Sequence, residues 1–253
     1  MKPELKNMPV REPKPRESGV TMSMDKGLSR RGAEDFVEVS GDWVDVIKLG
    51  FGTGYVTPNL DKKLAVYREA GIPYYFGGTM FEAFLIRDQL DDYCRMAEHF
   101  KAGIVEVSDG SMDISRERKC EIIRELSKHF KVLSEVGSKD SSVVIPPYKW
   151  VKWMQEELDA GAWKVIAEAR ESGTVGVFQD SGKARKGLVD EIAHYIKPDN
   201  ILWEAPQKAQ QVWFIKKFGS NVNLGNIAPH EVIPLETLRQ GLRGDTFFTF
   251  LEG

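Results

Sequence analysis

Cysteine is nearly absent from this sequence. The two present, Cys94 and Cys120, fall in stretches that read as helix and lack the spacing of zinc ligands. No disulfide framework is expected, and a reducing, cytoplasmic setting fits. No apolar run approaches the ~18–20 residues of a membrane span, so no membrane association is expected. The N-terminus carries no apolar core of the kind a secretory signal needs. An excess of one charge is also missing, since the formal net charge is −3 over 253 residues. A nucleic-acid partner would demand a basic face, so none is expected. Histidine is scarce too. His99, His129, His194 and His230 all fall away from the C-terminal ends of the predicted strands. That disfavours histidine acid–base chemistry and a His-bound zinc. A G-x-S-x-G nucleophile pattern is likewise lacking.

What the sequence does contain is one recurring unit. The segment from Met1 to about Ser18 carries Pro3, Pro9, Pro13 and Pro15 among charges and reads as a tail or docking arm. From Gly19 to Gly253 a short β-rich run, a few Gly or polar residues and an amphipathic helical stretch follow one another repeatedly. The predicted strands are Val20–Asp25, Val44–Leu49, Tyr74–Gly77, Ile104–Ser108, Val132–Val136, Trp163–Ala169, Ile201–Ala205 and Val222–Leu224. Eight strands alternating with eight helical segments predict a parallel sheet with crossover helices. The length, near the ~250 residues of a single β/α barrel, favours a closed (β/α)8 TIM barrel over an open sheet. A dinucleotide-binding open sheet would want G-x-G-x-x-G after its first strand, where this chain reads Asp25-Lys26-Gly27-Leu28. Helix boundaries are marked by Pro58-Asn59 before Leu60, by Gly71 after Ala70 and by Ser115 as an N-cap.

Alternation across a strand gives each one a helix-facing side and an axis-facing side. With the apolar residues turned to the helices, Glu106, Glu135, Glu168 and Glu204 face the axis in strands four to seven. The same rule points Asp25, Lys48 and Asn223 inward in strands one, two and eight. Lys26, Asp109, Lys139 and Arg170 lie just beyond. A purely structural salt-bridge layer accounts for one or two of these pairs. It accounts less well for charges gathered at the C-terminal strand ends, where barrel active sites form. Four unpaired interior carboxylates would exhaust a total stability of about 5–15 kcal/mol, so partners or a ligand are required.

Carboxylates, lysines and an arginine remain as chemistry. Convergent carboxylates suit a hard cation such as Mg²⁺, which takes one or two of them, so four glutamates compete for about two places. Lys and Arg suit an anionic substrate. Together they fit enolate chemistry, with a cation on a carboxylate and a lysine moving a proton at the adjacent carbon. For phosphate, Arg170-Glu171-Ser172-Gly173 offers a cation, a hydroxyl and backbone amides, against the alternative of an ordinary turn. Gln207, Gln210 and Gln211 open the seventh helix and are open either to an anion or to a simple polar helix start. Arg239 and Arg243 are open to phosphate, to Glu236 or to a subunit contact.

Motifs spread over residues 19–247 resemble one known family. They include Asp25-Lys26-Gly27, Lys48-Leu49-Gly50-Phe51-Gly52-Thr53 and Gly77-Gly78-Thr79-Met80-Phe81-Glu82. They continue with Glu106-Val107-Ser108-Asp109-Gly110, Glu135-Val136-Gly137-Ser138-Lys139 and Glu168-Ala169-Arg170-Glu171-Ser172-Gly173. Glu204-Ala205-Pro206-Gln207, Asn223-Leu224-Gly225-Asn226-Ile227 and Leu235–Thr246 complete the set. The sequence is similar to the phosphosulfolactate synthases. That resemblance implies a barrel that adds sulfite to phosphoenolpyruvate with Mg²⁺, through an enolate-like species. It implies a lysine acid matching Lys139 and a homo-oligomer, a trimer. Phe51 replaces a tryptophan usual in the glycine-rich turn, and Ser138 stands where some members carry a second lysine. Two other functions stay open at this point: a barrel lyase or isomerase acting on another phosphorylated or sulfonated acid, and a non-catalytic heat-stress-type homologue.

Overall fold

A computed structural model describes residues 4–138, 145–170 and 172–251. Eight parallel strands form one sheet: β1 (Thr21–Asp25), β2 (Val46–Leu49), β3 (Tyr74–Phe76), β4 (Ile104–Val107), β5 (Lys131–Val136), β6 (Lys164–Ala167), β7 (Ile201–Glu204) and β8 (Leu224–Ile227). Their order, β3-β2-β1-β8-β7-β6-β5-β4, brings β3 beside β4 with no ladder between them, so the barrel is nearly closed. Helices alternate with the strands: α1 (Arg30–Ser40), α2 (Thr53–Val56), α3 (Leu60–Glu69), α4 (Gly78–Leu85), α5 (Leu90–His99), α6 (Arg116–Leu126), α7 (Pro147–Asp159), α8 (Lys186–Tyr195), α9 (Lys208–Phe218) and α10 (Val232–Arg239). Two more helices appear among the described residues than the eight predicted. The short α2 follows the glycine-rich turn, and the third unit divides into α4 and α5. None of these helices is long and apolar enough to cross a membrane.

The predicted alternation is borne out on most strands. Val105, Val107, Val132, Val136, Val165, Ala167, Ile201 and Trp203 pack outward in the main core under the helices. A second, smaller cluster fills the lower half of the barrel: Val20, Met22, Val46, Tyr75, Ile104, Leu133, Ile166 and Leu202. Two residues further along five of these strands stand Lys48, Glu106, Glu135, Glu168 and Glu204, all buried. An apolar plug thus supports a charged layer, because a period of two repeats the inward direction at i and i+2. Helix capping follows the sequence as well: the Ser115 hydroxyl accepts from Arg118 N at 3.2 Å, and Gly71 takes φ 67° at the end of α3.

One inward assignment is overturned, and a second, Asn223, points inward at the wrong height. On β1 the even-numbered residues face the axis, Met22 in the plug and Met24 in the mouth, so Asp25 points the other way. Its carboxylate lies under α3, accepting from Lys63 Nζ at 2.7 Å and from the Tyr67 hydroxyl at 3.0 Å. Its other oxygen accepts from the backbone N–H groups of Gly27 and Leu28. Alternation fixes two faces but not which is inner when both carry polar residues. Asn223 was misplaced because β8 begins at Leu224, two residues later than predicted. Asn223 therefore sits below the plug, where its amide accepts from Val20 N and donates to the Ile201 carbonyl.

The N-terminal segment contacts the barrel through its arginines. Arg11 donates to Glu236 at 3.0 Å, and the buried Arg16 donates to Asp45 at 2.9 Å. Arg239, one of the two arginines of the last helical segment, is fully buried and donates to the carbonyls of Ser220 and Val222. That engagement removes it from any phosphate role at the opposite end.

The Asp25–Lys63 pair is buried on both sides (1% and 2% side-chain exposure), so removing one partner strands a charge. Asp25→Ala is expected to lower stability by about 3–5 kcal/mol in urea unfolding. The double variant Asp25→Leu/Lys63→Met should recover much of that loss.

Candidate active site

The C-terminal mouth of the barrel holds a cavity of about 320 Å³. Its floor is the charged layer, and its walls are the loops after the strands. Lys48 stands at the centre, with Nζ 3.1 Å from Glu106, 3.4 Å from Glu204 and 3.8 Å from Glu135. Burial alone pulls its ammonium down. Glu106, with Glu204 and Glu135, outweighs that pull and holds Lys48 well above the ordinary lysine range, so it stays charged. Burial, together with Glu135, raises Glu204 above the ordinary carboxylate range, against the opposing pull of Lys48. Beneath them, burial and then Glu106 push the Tyr75 phenol well up, which keeps it neutral.

The four glutamates do not share one task. Glu135, Glu168 and Glu204 each bring a carboxylate oxygen within 4.8 Å of the others, and all three are buried. Three convergent hard oxygens fit a hard divalent cation. Glu106 stands outside that trio and accepts from Gly78 N at 2.5 Å across the β3–β4 seam. A Cβ at position 78 would collide with Ser108 and with Glu106, so only glycine permits this approach. Ser108 adds a second bridge over the seam, its hydroxyl lying 2.5 Å from Glu82 on α4 and 2.8 Å from Glu135.

Arg170 and Ser172 line the cavity, as the sequence reading places them. Gly173 follows with φ 65°. Gln207 and Gln210 serve this loop, and Gln211 donates to the Ala205 carbonyl at 3.2 Å. Gln207 donates to the Ser172 carbonyl at 2.6 Å and caps α9 in a reciprocal pair with Gln210. Gln210 donates to the Gly173 carbonyl at 2.7 Å. Gln207 is therefore placed as a brace for the loop. Lys26 is exposed at the rim, its Nζ 5.6 Å from the centre of the Phe51 ring, which lines the mouth. Lys139 lies outside the described residues.

Several cavity residues are not among the candidate site residues, although all but Met24 fall within the family motifs. Met24, Phe51, Gly77, Gly78, Thr79 and Asn226 line the cavity. The Gly77-Gly78 pair was a legible signal of close backbone approach. Lys119 on α6 carries no such signal. It is fully buried behind the wall, pairing with Glu157 at 3.1 Å and donating to Asp109 and to the Glu135 carbonyl at 2.8 and 2.6 Å. It fixes the backbone from which Glu135 projects.

Known proteins match this chain closely. A family model described as (2R)-phospho-3-sulfolactate synthase (ComA) matches residues 9–245. That match takes in residues 9–18, which the motif resemblance had left out. The chain is 40% identical over 244 residues to the phosphosulfolactate synthase of Bacillus subtilis (strain 168), covering 95% of this chain and 97% of that protein. It is 45% identical over 235 residues to that of Methanocaldococcus jannaschii, covering 90% and 94%. Among solved structures, 3-hexulose-6-phosphate synthase from Salmonella typhimurium aligns with TM-score 0.55 at 15% identity, over 92% of this chain and 99% of that one. At that identity the likeness concerns the barrel alone. By the family match and by identity over nearly its whole length, the chain belongs to the phosphosulfolactate synthase family.

Proposed function

We propose that this protein is a phosphosulfolactate synthase, adding sulfite to phosphoenolpyruvate to give (2R)-2-O-phospho-3-sulfolactate. The observation that carries the reading is the mouth itself. Three buried carboxylates converge beside Lys48, with Arg170 and Ser172 on the wall above, in a chain 40–45% identical to enzymes of that name. Both reactants are anions, and an acidic floor would repel them without a cation. Two of Glu135, Glu168 and Glu204 would hold Mg²⁺, the number of carboxylates this ion usually takes. Bound there, the ion would offset the charge that grows on the substrate carboxylate.

The residues of the chain carry the other roles. Lys48 supplies fixed positive charge at the floor, and Arg170 with Ser172 receives oxyanion oxygens at the wall. The sulfite sulfur uses its lone pair to form the carbon–sulfur bond at the methylene carbon. The displaced π electrons move toward the carboxylate as an enolate-like species. Lys139, three positions after β5 in sequence, then gives its proton to the carbon bearing phosphate, and one proton is consumed overall.

Purified protein is expected to consume phosphoenolpyruvate only with sulfite and Mg²⁺ present, yielding a product with the mass of phosphosulfolactate. A folded sample that gives no product would turn the search to other phosphorylated or sulfonated acids, or to a non-catalytic role. Lys139→Ala should lower kcat by about 10²-fold or more, with Mg²⁺ binding retained. Glu168→Gln and Glu135→Gln should weaken Mg²⁺ binding in calorimetric titration without substrate. Unchanged affinity in both would remove these residues from the cation site.

A further inference from the structure

The β1–β8 ladder is irregular at one point. Thr21 pairs with Leu224 and Ser23 with Ile227, so β8 carries one extra residue between the two pairings. Leu224 and Ile227 both pack outward in the main core, and Gly225 faces Met22 and Leu202 of the plug. Strict alternation would have turned residue 226 out and residue 227 in. The bulge instead turns Asn226 into the mouth, and the Ser23 hydroxyl fastens it by donating to the Ile227 carbonyl at 2.9 Å. Asn226 has φ 56°, a left-handed conformation that asparagine tolerates better than most residues. Phe51 and Arg170, both at φ 55°, line the same cavity, so left-handed backbone gathers there.

Asn226 is 94% buried, and no side-chain hydrogen bond to its amide forms among the described residues; Oδ1 is enclosed without a partner. A buried amide oxygen left unpaired is costly, and the chain does nothing locally to satisfy it. This amide faces a cavity already lined by Arg170, Ser172 and Glu204. We propose that Asn226 is a substrate-binding residue whose amide hydrogen-bonds a reactant oxyanion, phosphoryl or sulfite. The inference rests on the synthase reading for the identity of those reactants. The amide offers an N–H donor to the oxyanion and an acceptor to its protonated oxygen or to the water it carries.

The test uses the full chain and two variants, Asn226→Gly and Asn226→Asp. Glycine accepts the left-handed conformation freely and removes the unpaired amide, so the ligand-free melting temperature should stay level or rise. Affinity for inorganic phosphate or sulfite, read by calorimetry, should fall about tenfold or more in Asn226→Gly. It should fall further in Asn226→Asp, which presents a negative charge to the anion. In turnover, a rise in KM for phosphoenolpyruvate alone assigns the contact to the phosphoryl group, and a rise for sulfite alone assigns it to sulfite. Wild-type affinity for both anions in both variants overturns the inference, as does wild-type protein that binds neither anion. A variant that melts lower yet binds both anions normally also overturns it, giving Asn226 a structural role only. Wild-type protein that binds an anion but makes no product, with binding lost in Asn226→Gly, supports the contact while removing the synthase reading.

Discussion

The arrangement of this barrel turns on one buried cation. Lys48 lies within 4 Å of Glu106, Glu135 and Glu204, and burial on that scale is costly for any ion left alone. The carboxylates hold the ammonium charged, and the ammonium makes their proximity tolerable. The apolar plug below excludes water from that side, which strengthens every interaction in the layer above. The lysine sits on β2 and its partners on β4, β5 and β7, so it ties together strands from different parts of the sheet.

The geometry of the mouth and the closure of the barrel share the same atoms. The sheet has no ladder between β3 and β4, and Glu106 with Ser108 reaches across that seam to Gly78 and Glu82. Lys119 braces the neighbouring strand from the helix side through the Glu135 carbonyl. Polar groups are therefore fixed from both faces of the wall. That rigidity is what a site needs if its charges are to be in place before the substrate arrives.

The site was legible wherever the period-two pattern had one unambiguous face. Val105 and Val107 flanking Glu106, or Ile201 and Trp203 before Glu204, leave a single choice of direction. Asp25 was misread because β1 reads Thr-Met-Ser-Met-Asp, where polar residues occupy the outward positions and are satisfied there by Lys63, Tyr67 and Ile227. Asn223 lies at the bottom of the barrel because β8 starts at Leu224, two residues beyond the β-rich run that begins at Val222. Asn226 was missed because a bulge breaks the alternation on which the assignment relied. The sequence leaves Gln207 open between an anion and a polar helix start, and only the loop folded against it shows that its amide donates to the Ser172 carbonyl.

Local pattern is enough to specify the parallel eight-strand architecture, the inward glutamates and Lys48, and the family. Each is written in local periodicity or in motifs, which need no knowledge of neighbours distant in the chain. The packed barrel sets which polar residues of β1 face the helices, which three glutamates converge and which one bridges the seam. It also turns Asn226 into the mouth. These depend on register between strands and on partners up to some two hundred residues away, such as Ser23 and Ile227. A one-residue shift in pairing reverses the direction of a side chain, and no local pattern records that shift.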